Sequence, residues 1–130
     1  MTAQELIRLA REARQRAHAP YSGFQVGAAV ETAGGRFFSG CNVENSSYGL
    51  TLCAERVAIF KAVSEGCTDL IGLCVVADTA HLTPPCGACR QIIWEFCGDI
   101  PVLLTNLSGD RKLVRSSELL PFPFDDRQLD

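Results

Sequence analysis

Apolar and polar positions alternate along this chain in two rhythms, and the changes of rhythm divide it into elements. Over residues 2–19 the apolar positions recur at helical spacing. Leu6, Ala10, Ala13 and Ala17 form one stripe, with Arg8, Arg11, Glu12 and Arg16 largely off it on a solvated face. Thr2 followed by Glu5 has the pattern of a capping box, and Pro20 ends the helix. Phe24 to Ala33 then reads as a strand, Gly34-Gly35 as a tight turn and Arg36 to Cys41 as the antiparallel partner. Asn42 to Leu50 is polar and aperiodic, a loop.

A second helix is expected from Thr51 to Glu65, stopped by Gly66. Leu70 to Ala77 is almost wholly apolar, as befits a strand covered on both faces. Residues 79–83 form a loop, Pro85 suits a helix entry, and a third helix spans Cys86 to Phe96. Pro101 to Leu107 is another buried strand and Gly109-Asp110 a turn. Lys112 to Arg115 reads as a short edge strand, before a short helix capped by Ser116 or Ser117 and ending at Pro121. Strands beyond residue 50 alternate with helices and are expected to run parallel, while the earlier hairpin makes the sheet mixed. No repeat or linker interrupts the pattern, so residues 1–130 are expected to form one domain.

Composition narrows the partners. With 47% hydrophobic and 21% charged residues the chain is globular, and a net charge of -3 leaves no surplus of cations for a nucleic-acid backbone. No apolar run nears the roughly 18 residues of a membrane span. The first residues lack the basic and apolar regions of a signal peptide. Seven cysteines, an odd number, in a chain without a secretion signal point to reduced thiols in the cytoplasm rather than a disulfide framework.

Some of those thiols are placed to hold a metal. Cys53-Ala54-Glu55-Arg56 opens the second helix and Pro85-Cys86-Gly87-Ala88-Cys89 the third. Side chains in a first turn lean toward the helix start, so Cys53, Cys86 and Cys89 can reach one point with Glu55 beside it. Three protein ligands with a fourth position open is the catalytic form of a zinc site. Zinc would lower the pKa of a water in that position, and Glu55 would move its proton. Three thiolates around Zn²⁺ leave one negative charge, which the two helix N-termini and Arg56 would offset.

Beyond this motif, Asn42-Val43-Glu44-Asn45, Ser47-Tyr48-Gly49 and Pro85-Cys86-Gly87-Ala88-Cys89-Arg90-Gln91 resemble the small homotetrameric cytidine deaminases, from about Tyr21-Ser22-Gly23-Phe24 to Leu119-Leu120-Pro121. The resemblance implies hydrolytic deamination of cytidine and deoxycytidine, one Zn²⁺ per chain, and a three-layer α/β/α fold on a mixed five-stranded sheet. It implies that a zinc-bound hydroxide attacks C4 while Glu55 shuttles protons to N3 and to the departing ammonia. Arg56 and Gln91 would hydrogen-bond the ligand sulfurs. Asn42 and Glu44 would bind the sugar hydroxyls, the Glu44 carboxylate repelling a phosphorylated sugar. The main chain of Ala54 would read the base. Phe24 would stack on it, or else belong to the strand core, and Tyr48 would order the loop. The resemblance also implies a homotetramer in which a phenylalanine of the C-terminal tail, Phe124, covers the base in a neighbouring subunit. The near-continuous apolar run Val57-Ala58-Ile59-Phe60, with Ala62 and Val63, suits such an assembly.

Several other readings compete. A deaminase of a cytosine-containing antibiotic of the blasticidin-S type shares Cys-Ala-Glu and Pro-Cys-x-x-Cys, but the Asn-Val-Glu-Asn loop and Arg56 weigh against it. Deaminases that edit tRNA or DNA commonly carry His where Cys53 stands and need a cationic channel. A structural zinc module would require a fourth cysteine such as Cys41 or Cys97, and a dithiol redox protein would leave Cys53 and Glu55 idle. Cys41, Cys67, Cys74 and Cys97 read as small buried residues or sparsely exposed thiols. His18 and His81 have no ligand spacing to anything.

Overall fold

The two-residue alternation inside the apolar strands decides the architecture. In the computed structural model, which describes residues 1–129, five strands form one sheet. They are β1 (Val26–Thr32), β2 (Phe37–Cys41), β3 (Leu70–Ala77), β4 (Pro101–Thr105) and β5 (Arg111–Arg115), in the order β2-β1-β3-β4-β5. Val26, Ala28 and Val30 of β1 join one core while Ala29 joins another. β3 divides likewise into Leu73, Val75 and Ala77 against Cys74 and Val76, and β4 into Val102 and Leu104 against Leu103. Helix α1 (Ala3–Arg14) closes one face with Leu6 and Ala10. Helices α2 (Ala54–Ser64) and α3 (Gly87–Cys97) close the other with Ala58, Ile59, Ala62 and Ile93. This is the expected α/β/α arrangement, completed by a short α4 (Ser116–Leu119) after β5.

Two glycines set the height of the helices above the sheet. A methyl group on Gly27 of β1 would lie 1.9 Å from the Ala10 carbonyl oxygen of α1. On Gly40 of β2 it would lie 2.6 Å from the Ala58 amide of α2. Each helix thus rests on bare backbone, and α2 is held where its first turn reaches the end of the sheet.

The mixed sheet follows the expected plan, with one correction. β1 runs antiparallel to β2 and β3, and β3 runs parallel to β4 with Leu73 opposite Val102. β5 runs antiparallel to β4, Leu103 facing Leu113. The expectation of parallel strands beyond residue 50 holds only where α3 supplies a crossover; the tight turn at Gly109 is too short for one.

Local differences have physical causes. The first helix ends at Arg14 and not at residue 19, because His18 leaves to pair with the loop: its amide donates to the Asn42 carbonyl (2.9 Å) and its carbonyl accepts from Glu44 N (2.8 Å). Thr2 makes no capping box; its amide and hydroxyl donate to the buried Glu31 carboxylate at 2.5 and 3.1 Å. Much of the apolar surplus of α2 is used within the chain. Val57 lies against Gly40, and Phe60 meets Phe96 edge to face with centroids 5.8 Å apart. Among the described residues no helix is long and apolar enough to cross a membrane.

Candidate functional site

Both helix starts that carry the cysteine motifs lie beyond the carboxyl end of β3, next to the first residues of β1. Cys53 and Cys86 are the N-cap residues of α2 and α3, with extended backbone (φ -76° and -66°). Their carbonyls accept the first intrahelical bonds from Val57 and Arg90, at 3.1 and 2.9 Å. Neither side chain caps its own helix. The first-turn N–H groups therefore leave a positive end at each helix start, where the thiols sit. Cys89, in the first turn of α3, completes the group: the three Sγ atoms all lie within 4.8 Å of one another, Cys53 and Cys86 being 4.0 Å apart. Cys41 and Cys97 do not belong to this cluster, which removes the two cysteines that could have closed it as a structural site.

Electrostatics distinguish the three thiols and their neighbours. Cys53 is pulled down to about 5, chiefly by its hydrogen bond with Cys89 and then by Arg56, while the same bond and burial push Cys89 up. The pair thus places its first negative charge on Cys53. Arg56 Nη2 lies 3.5 Å from Cys53 Sγ and donates to the Thr51 carbonyl at 3.1 Å. Arg56 Nε is buried with no acceptor. Three clustered thiols beside a half-buried arginine whose Nε has no partner fit a soft divalent ion whose ligands bring excess negative charge. Glu55 is only 4% exposed, and burial pushes its carboxyl up, with the Cys53 charge adding to the effect.

These groups line a cavity of about 170 Å³ whose walls include Phe24, Asn42, Cys53, Ala54, Glu55 and Cys86. Phe24 is 42% exposed at this cavity and lies before the first residue of β1, so the strand-core alternative does not describe it. Asn42 holds it there: Nδ2 donates to the Phe24 carbonyl at 2.7 Å, and Oδ1 accepts from Val26 N at 2.9 Å. A second, more polar recess of about 370 Å³ is lined by Tyr21, Ser22, Glu44, Tyr48 and Thr51, and Thr51 lines both. The Glu44 carboxylate accepts from the amides of Tyr21 (2.9 Å) and Ser22 (3.1 Å) and from the Ser22 hydroxyl. These bonds, the Ser22 hydroxyl first, hold it below the usual carboxylate range. Tyr48 is exposed and stands edge-on to Tyr21, with centroids 6.1 Å apart.

Two expected residues stand elsewhere. Gln91 donates to the Phe124 carbonyl at 2.8 Å and not to a sulfur, so in this structure it anchors the C-terminal tail. Phe124 is exposed and lines a separate recess with Phe122, away from the chain's own cavity. Sequence reasoning gave no role to Ser22, Thr51 or Thr83, which line the two recesses. Hydroxyl residues in turns carry no spacing signal, although Ser22 stands in the Tyr-Ser-Gly-Phe stretch.

Comparison with known proteins agrees with this geometry. A family model described as the cytidine and deoxycytidylate deaminase zinc-binding region matches residues 1–104. A cytidine deaminase from Halalkalibacterium halodurans is 54% identical over 125 residues, covering 95% of each chain. One from Sporosarcina psychrophila is 50% identical over 130 residues, covering 99% of this chain and 96% of the other. The crystal structure of a cytidine deaminase from Burkholderia pseudomallei superposes with a TM-score of 0.92 at 46% identity, over 95% of this chain and all of that one.

Proposed function

This chain belongs to the cytidine and deoxycytidylate deaminase family, and from that premise we propose that it hydrolyses cytidine and deoxycytidine to uridine and deoxyuridine with release of ammonia. The observation that carries the reading is the cluster of Cys53, Cys86 and Cys89 sharing one cavity with the buried Glu55. One zinc ion per chain would be held by the three thiolates; when bound it supplies a water activated for attack near neutral pH. Glu55 would be placed to move two protons as oxygen adds to C4 and the C4–amino bond breaks: one from the attacking water to ring nitrogen N3, the other from the hydroxyl then on C4 to the amino group leaving as ammonia. A carboxyl lifted by burial suits both directions of transfer. Arg56 steadies the charge on Cys53. Phe24 faces the base, the main chain of Ala54 reads it, and the Asn42 and Glu44 side supplies the sugar subsite. The Glu44 carboxylate disfavours a phosphorylated sugar.

The cellular setting proposed is pyrimidine salvage in the cytoplasm. The active form proposed is a homotetramer with the tail of one subunit, through Phe124, reaching a neighbour's cavity. Exposed Tyr48, Leu50, Phe122 and Phe124 support it. Incubation with cytidine, cytosine, CMP and blasticidin S, followed by loss of the cytosine chromophore, tests the substrate; turnover of blasticidin S without cytidine would overturn the reading. Metal analysis of Cys86→Ala should show zinc loss. Light scattering should give about four chains per particle, and truncation after Leu120 should raise KM with zinc retained. A fully active monomer would refute the assembly.

A further inference from the structure

We propose that Ser22 is the positioning residue that ties the sugar-side carboxylate to the base-facing ring, and so sets the enzyme's preference for a hydroxylated sugar. Its hydroxyl donates to Glu44 Oε2 and accepts from the Phe24 amide at 3.0 Å. One oxygen therefore bridges a residue of the polar recess and a residue of the cavity beside the thiols. The turn around it is otherwise fixed by main chain. Gly23 N donates to the Ala19 carbonyl at 2.9 Å, and Gly23 sits at φ 69°, a left-handed conformation natural to glycine.

The bridge determines what each partner can offer a substrate. A carboxylate has about four lone-pair positions. Tyr21 N, Ser22 N and the Ser22 hydroxyl use three of them, which leaves one for a ligand and fixes its direction. The Phe24 peptide is held from both sides, its amide by Ser22 and its carbonyl by Asn42. Removing the hydroxyl strands the Phe24 amide and frees the Glu44 carboxylate to turn. Only a side chain that donates and accepts through one short-armed oxygen can do both, so threonine is the sole conservative replacement.

This inference rests on the sugar role of Glu44, and the test separates the two. KM and kcat are measured for cytidine and for its dideoxyribonucleoside analogue, which lacks the two secondary sugar hydroxyls, on wild type, Ser22→Ala, Ser22→Thr and Glu44→Gln. Ser22→Ala should raise KM for cytidine about tenfold, the scale of one hydrogen bond to a charged group. It should alter kcat less than KM and raise KM for the analogue by a clearly smaller factor, through Phe24 alone, with zinc content unchanged. Ser22→Thr should restore the cytidine value. A purely structural role would weaken both substrates alike, and that result overturns the proposal. If Glu44→Gln shifts the ratio of the two KM values and Ser22→Ala does not, Ser22 alone is excluded. If Glu44→Gln leaves the ratio unchanged, the sugar role of Glu44 fails and the proposal falls with it.

Discussion

Glu55 is buried among groups that carry or accept charge, and its environment makes it a poor structural residue. Burial opposes its ionisation and no salt bridge compensates it among the described residues. Glu55→Gln keeps shape but cannot accept a proton, so kcat should fall on the order of 10²-fold or more while fold and metal content persist. Near wild-type turnover would remove Glu55 from the chemistry. At this scale the sequence was legible where one residue type recurs at ligand spacing, as at Cys53, Cys86 and Cys89. It was not legible where a role depends on distant partners. The Ser22 hydroxyl meets Glu44 22 residues away, and Gln91 meets the Phe124 carbonyl 33 residues away. Nothing local to either residue announces those contacts. Among the unassigned cysteines Cys74 is the one the fold encloses, and burial pushes it up to about 12. Cys74 should stay unlabelled by an alkylating reagent near neutral pH until the chain unfolds, and fast labelling of it in the native protein would contradict that enclosure.

Elements followed the sequence where periodicity sets them and departed from it where a partner does. The buried strands came from apolar runs, and the three long helices from apolar content together with the residues that bound them, Pro20, Gly66 and Pro85. The end of α1 depends on His18 joining the loop, and the direction of β5 on a turn too short to cross over. Packing between elements is tightest at the helix–sheet contact of α1. Gly27→Ala places a methyl against main-chain atoms of Ala10 and Arg14, which cannot swing aside. A loss of about 3 kcal/mol is expected, read as a lower denaturation midpoint; a wild-type midpoint would mean that α1 can lift. The tail offers a second test. Asp125 accepts from the sole tryptophan, Trp94 Nε1, at 3.0 Å and pairs with Arg127 at 2.8 Å. Arg127 first and Trp94 next lower its carboxyl from the ordinary value of 3.8. A depressed folded pKa stabilises docking fully above that value and loses it only as pH falls below. Trp94 fluorescence should therefore report a docked tail from neutral pH down to about pH 4. Asp125→Asn should shift the emission already at neutral pH, and an unchanged spectrum would mean that the tail is held by other contacts.

The whole molecule joins two halves of the chain around one point. The hairpin and α2 supply Phe24, Asn42, Cys53 and Glu55, while β3 and α3 supply Val75, Cys86 and Cys89. The fold class was legible because both faces of the apolar strands needed cover, whereas the apolar run of α2 says less about assembly, because much of it packs internally. In polymer terms, a metal shared by Cys53 and Cys86 ties two points 33 residues apart on the chain. Such a tie shortens the list of shapes open to the unfolded chain, as a disulfide across the same span would, an effect of roughly 3 to 4 kcal/mol. Chelation should accordingly lower Tm on the order of 10 °C at unchanged pH. It should do so equally in Glu55→Gln, where little turnover remains to be lost. The ion that makes the nucleophile would then also be the knot that keeps the chain's two halves from drifting apart.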